Sequence, residues 1–194
     1  DLAKLDMRSG MERLVYALVI IVVATITAWI MALALNLKPV DFPVIKISVG
    51  LHILLRLLMS FCGVFGFSIM FNSPIVLAAS AAVIGAVSNT LRLELVDMAG
   101  MPPAAAAFIG AFCAGILASV LKNRVGYPRI SLTVPSIVIM VPGLYLYRAV
   151  YNLGIMSLVT SASWFAAAML IILALPLGLI FARILTDKTF RYCT

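Results

Sequence analysis

Residues 102–121 read PPAAAAFIGAFCAGILASVL. No charge interrupts these 20 residues, and apolar side chains face every side of a helix drawn through them. At 1.5 Å rise per residue, such a helix covers the ~30 Å of hydrocarbon in a bilayer. A barrel strand would alternate apolar with polar residues, and this run does not. Lipid offers backbone groups no partner, so a helix that satisfies its own is expected. Ala107, Ala111 and Gly115 fall four apart, as do Gly110, Ala114 and Ala118. Stripes of small residues at that spacing let two membrane helices approach closely.

Five more runs of this kind flank it: 14–37, 51–71, 74–91, 131–150 and 162–182. With 102–121 they hold 124 of the 194 residues. The whole chain is 64% apolar and 11% charged, with a mean hydropathy of +1.19. A soluble domain is roughly half apolar and about a quarter charged. The composition excludes a disordered tail, a coiled coil and a water-soluble enzyme. The expected fold is an all-α polytopic bundle of about six transmembrane helices, one of them broken by proline. Ala78, Ala82 and Ala86 repeat the small-residue spacing in the third run. Asn72 or Ser73 is placed to cap that run, with Pro74 at its first helical position.

The net charge of +7 is spread between the runs, which reads as membrane orientation. With the N-terminus inside, segments 1–13, 72–73, 122–130 and 183–194 carry nine basic residues. The segments assigned outside carry Lys38, Lys46 and Arg92. Both termini are therefore expected in the cytoplasm of a plasma (inner) membrane. The 92–101 connection holds Glu94 and Asp97, so the six runs contain no carboxylate. A proton relay of carboxylates inside the membrane is not expected. Cys62 and Cys113 lie in apolar runs as small packing residues, and Cys193 is terminal. The chain begins at Asp1, as a processed or partial product does, and no signal peptide is evident.

No enzyme motif is present: there is one histidine, no Cys-x-x-Cys, no HExxH and no glycine-rich phosphate loop. Neither a cofactor nor a metal is expected. Chemistry is expected instead in the fifth run, Thr133-Val134-Pro135-Ser136 through Pro142-Gly143-Leu144-Tyr145-Leu146-Tyr147-Arg148. Each proline removes a backbone donor and frees a carbonyl four residues earlier. Broken membrane helices build substrate sites in secondary transporters, and they also serve as plain kinks. Pro135, Ser136, Pro142, Gly143, Tyr145, Tyr147 and Arg148 are the candidate substrate-binding residues of this element. Only one of the two tyrosines can share the face of Arg148.

Arg56 and Asn89 complete the candidate set. Arg56 is five residues into its run, ~8 Å below the start, where it can bind substrate or snorkel to the surface. Asn89, with Ser88 and Thr90, can serve as a ligand or as hydrogen-bonding glue between helices. His52 lies one turn before Arg56, where an interfacial role suits it.

A resemblance rests on Gly66-Phe67-Ser68-Ile69-Met70-Phe71-Asn72 through Gly85, on 102–121, on Tyr127-Pro128, and on Val134-Pro135 to Tyr147-Arg148. Over about 51–185 the chain resembles the second half of the threonine/serine exporter family. Val141-Pro142-Gly143 with Tyr147-Arg148 is its most specific part. Ile139 stands where the family pattern usually carries a further proline. Arg13 to Ala17 resembles the last helix of the family's other half, which divides the chain at 1–50 and 51–194. The resemblance implies a secondary exporter of threonine and serine, or of small dicarboxylates such as succinate. It also implies a first-half partner, fused or separate, and higher assembly of that pair. A non-transporting scaffold subunit is the other class left open; nucleic acid is not an expected partner.

Overall fold

The computed structural model of the chain describes residues 7–36 and 48–187. The segment with Lys4, the connection holding Lys38 and Lys46, and the tail with Lys188, Arg191 and Cys193 lie outside them. So do most of the 38–50 connection and its two prolines. Seven helices make up the described residues: α1 (Met7–Ala34), α2 (Val49–Met70), α3 (Ile75–Asp97), α4 (Pro103–Val125), α5 (Arg129–Val138), α6 (Gly143–Gly154) and α7 (Leu158–Thr186). Helices α2, α3, α4 and α7 are each long and apolar enough to cross a membrane, and α5 with α6 pass as a fifth, interrupted span. In α1 the apolar part is Val15–Met31. The chain is an all-α, multi-pass membrane protein.

The helices fall into two compact units. In one, α6 lies against α1, and Thr25, Ile26 and Trp29 face Val150, Tyr151 and Ile155 around a cavity of about 270 Å³. The Ser161 hydroxyl donates to the Ala149 carbonyl at 2.6 Å and ties the start of α7 to α6.

In the other unit α3 is the centre, packed on α2, α4 and α5. It is the least apolar of the four long spans and the most buried. The two properties belong together, because polar side chains in a membrane must be sheltered by protein. All three small-residue stripes are buried, Ala78, Ala82 and Ala86 on α3 and both sets on α4. Gly85 shows how close the approach is. A Cβ there would stand 2.7 Å from Val64 Cγ2 on α2 and 2.9 Å from the Ser136 carbonyl on α5. Overpacking costs about 1–3 kcal/mol, more than the ~1 kcal/mol of helix propensity that alanine adds. Gly85→Ala is expected to destabilise the protein. Gly66, with nothing within 4 Å, is expected to gain up to ~1 kcal/mol from the same change. Reversible unfolding in mixed detergent micelles checks both signs.

Three sequence expectations are corrected here. Asn72 does not cap α3; it closes α2 in the left-handed conformation at φ +57°, and Ser73 N–H bonds back to the Ser68 carbonyl. That six-residue closure satisfies the last carbonyls of α2. Pro74 is itself the N-cap of α3, with no side-chain cap bond. Second, α3 does not stop at Leu91 but runs on to Asp97, so Arg92, Glu94 and Asp97 are helical residues rather than a loop. Third, the interruption of the fifth run is narrower than Pro135–Gly143. Helix α5 passes through Pro135 and ends at Val138, leaving 139–142 as the break.

Candidate functional site

The predicted site residues divide between the two units. Pro135, Ser136, Pro142, Arg56 and Asn89 belong to the unit centred on α3, and Gly143, Tyr145, Tyr147 and Arg148 to the other.

On α6, Arg148 lies with its guanidinium 4.7 Å from the centre of the Trp164 ring. Tyr145 meets the same ring edge-on, with centroids 5.5 Å apart. Tyr145 and Arg148 are three residues apart and share a helix face, so Tyr145 is the tyrosine that accompanies the arginine. Tyr147 instead stacks on Tyr151, 6.3 Å away. A cation over an indole face is held without using its N–H donors. Arg148 has no ion pair among the described residues, so its five donors are available to a planar anion. Gly143 opens α6 and is exposed.

Around α5 the geometry is tighter. Ser136 is wholly buried, and its hydroxyl faces the carbonyls of Ala81 on α3, at 3.0 Å, and of Leu132 in its own helix. It works as a clasp between α5 and α3. The Pro135 ring supplies no N–H to the Ser131 carbonyl one turn back. Both residues line a cavity of about 420 Å³, with Ser68 and Ser73 opposite and Phe67, Phe71 and Leu77 as apolar wall. The Ser68 hydroxyl is buried and has no partner among the described residues.

After Val138 the backbone tightens, with Met140 N–H bonding to Ile137 O and Val141 N–H to Val138 O. Pro142 is buried directly after these turns. The Met140 carbonyl accepts a hydrogen bond from Arg92 Nη1 at 3.2 Å. Freed carbonyls in a membrane need a protein donor or water. The sequence pattern alone puts Arg92 in a connection; the fold puts it beside the break. A missed cue lay in its register: Ser88 and Arg92 are four apart, on one face. A Cβ on Gly110 would meet the Ser88 carbonyl, Arg92 Cβ and Met140 Sδ at 3.2, 3.2 and 3.3 Å. The glycine of α4 thus brings both α3 and the break within contact of one point.

The middle of α3 carries a buried polar band. Asn89 Nδ2 donates to Ser60 Oγ on α2 at 2.9 Å, the interhelical bond that its sequence position allowed. Among the described residues its Oδ1 has no partner, nor have Ser88 Oγ and Thr90 Oγ1, and all three residues are buried. A buried polar group without a partner costs about 1–3 kcal/mol.

One helical turn from this band, Arg56 on α2 donates to Glu94 Oε1 at 2.9 Å and to Asp97 Oδ2. Arg56 thus reaches toward the end of α3. Its cation is neutralised by two carboxylates, and this is why α3 continues through them instead of ending before them. Glu94 and Asp97 are thus helical residues paired with Arg56 on α2.

No curated protein and no solved structure matches the chain. A family model described as "Threonine/Serine exporter, ThrE" matches residues 56–185. That stretch runs from Arg56, through the polar band of α3 and the break, to the end of α7. The interrupted span and its buried polar neighbours lie within the matched stretch, and the chain belongs to the threonine/serine exporter family.

Proposed function

We propose that the chain is the second half of a secondary exporter that moves threonine and serine out of the cell across the inner membrane. In this reading α1 is a sixth span, both termini are cytoplasmic, and a first-half partner completes the carrier. The observation that supports it is the α3 band, Ser88, Asn89 and Thr90, whose three buried oxygens lack partners among the described residues beside a broken span. Oxygen groups left open in a membrane protein suit a polar guest, because hydrocarbon offers none of them a bond. A hydroxy amino acid carries a carboxylate, an ammonium and a hydroxyl. Asn89 and Thr90 can accept from the last two. Arg148, in the other unit, carries by itself the planar donor fork that a carboxylate takes. Pro142 and Gly143 release the backbone at the start of α6, where N–H groups and the positive dipole end favour an anion. Arg56, already held by Glu94 and Asp97, is the part of the set that must let go of its own carboxylates to meet the substrate's.

The test is efflux from proteoliposomes holding the chain with its first half, loaded in turn with labelled threonine, serine and succinate. Threonine and serine leaving faster than succinate supports the reading, and succinate alone leaving replaces it with a dicarboxylate exporter. No efflux of any of the three reduces the chain to a scaffold. Arg148→Lys, which loses the planar two-donor fork, is expected to lower export about tenfold at matched expression, as loss of one charged hydrogen bond does. Pro142→Ala is expected to lower it as well. Both variants exporting like the parent would leave only a kinked structural helix.

A further inference from the structure

The last turn of α4, the first turns of α5 and the last turns of α7 enclose a cavity of about 520 Å³ that the substrate reading does not use. Its polar rim is Lys122, Arg129 and Arg183, with Asp187 as the carboxylate among them. Arg183 Nε lies 3.7 Å from Asp187 Oδ2. Arg129 is held by neutral acceptors, Thr186 Oγ1 at 3.1 Å and the Leu179 carbonyl at 3.5 Å. The Lys122 side chain has no hydrogen bond and no ion pair among the described residues; its backbone carbonyl accepts from Gly126 N–H at 3.0 Å. Among the described residues that line the cavity, three cations thus face one carboxylate, an excess of positive charge in a half-enclosed site. Cations gathered at this density repel one another unless an anion joins them.

The other wall identifies the anion. Ile130, Val134 and Ile180 line the cavity and are 68%, 48% and 44% exposed, an open apolar wall of the kind that lipid chains cover. A soluble anion needs no such wall, and a zwitterionic amino acid would leave the double charge unmatched. A phosphodiester headgroup with acyl chains fits both halves, its phosphate at the cations and its chains along the isoleucines and valine. Basic pockets between membrane helices bind anionic headgroups in this way, on the leaflet where such lipids concentrate. In the orientation proposed above, this end of the helices lies at the cytoplasmic leaflet. We propose that the cavity between α4, α5 and α7 is a binding site for the phosphate headgroup of an anionic membrane lipid. Bound there, the lipid bridges the start of the broken span to the ends of two full spans.

The experiment is native mass spectrometry and thermal unfolding of the delipidated protein in neutral detergent. Phosphatidylglycerol, phosphatidylcholine and inorganic phosphate are added in separate arms. Phosphatidylglycerol is expected to bind and raise the unfolding temperature, with phosphatidylcholine and inorganic phosphate ineffective. Lys122→Gln is expected to weaken phosphatidylglycerol binding about fivefold, and Lys122→Gln with Arg129→Gln about twenty-five-fold, at roughly one cation's worth of headgroup attraction each. Asp187→Asn is expected to leave binding equal or tighter, whereas a purely structural role for the rim predicts a loss. Should the double variant fail to fold, Lys122→Gln decides, since that side chain has no bond to lose. Equal binding of the two lipids, an unaffected Lys122→Gln, or stabilisation by inorganic phosphate matching that of the lipid would overturn the proposal.

Discussion

Arg56→Met is expected to lower stability by about 3 kcal/mol. The change leaves Glu94 and Asp97 on α3 without the cation that both of them face. Breaking a buried pair by removing one partner costs about 3–5 kcal/mol, since the stranded charge has lost its water. The low end applies because the Asp97 side chain is 51% exposed and can rehydrate, while that of Glu94, at 17%, is largely shut in. Glu94→Gln in the Arg56→Met background is expected to recover much of the loss, because the stranded charge is then gone. A double-mutant cycle read by reversible unfolding in mixed micelles isolates this coupling. Additive losses from the two changes would show that the contact carries no interaction energy. Those carboxylates would then be ordinary headgroup-facing residues.

The second large effect has opposite signs in two assays. Thr90→Val and Ser88→Ala remove buried hydroxyls that have no protein partner. Each is expected to keep the fold and to raise its stability by up to ~1 kcal/mol, since an unpaired polar group is replaced by an apolar one of similar or smaller size. Export is expected to fall more than tenfold in the same variants, if these oxygens contact a polar substrate; one lost bond to a charged group is worth about 1.5–3 kcal/mol. Residues that merely glue helices behave otherwise, losing stability and export together. Asn89→Leu separates the two roles within one side chain. Its Nδ2 bond to Ser60 is structural, so some stability is lost, while its open Oδ1 belongs to the proposed substrate surface. Unchanged export in Thr90→Val and Ser88→Ala would remove the α3 band from the substrate path.

The membrane spans were legible from sequence because the bilayer's demand is local. Some 20 apolar residues in a row must be a helix wherever they sit, and small residues four apart must be a close-packing face. The runs containing α2, α4 and α7 were readable on that ground alone, as was an interruption before Gly143. What the tertiary structure decided depends on partners far along the chain. Helix α3 passes Leu91 because Arg56, 38 residues before Glu94, neutralises the charges that made its end look like a loop. Arg92 is a helical residue at the break because the Met140 carbonyl, 48 residues on, needs a donor. Pro135 stays inside α5, where Ser136 clasps α3 through a carbonyl 55 residues away and holds the helix against its missing bond. Apolar length is a property of one segment, and lipid reads it directly. Satisfying a charge or a freed carbonyl inside the membrane takes two segments, and only their packing shows which two meet.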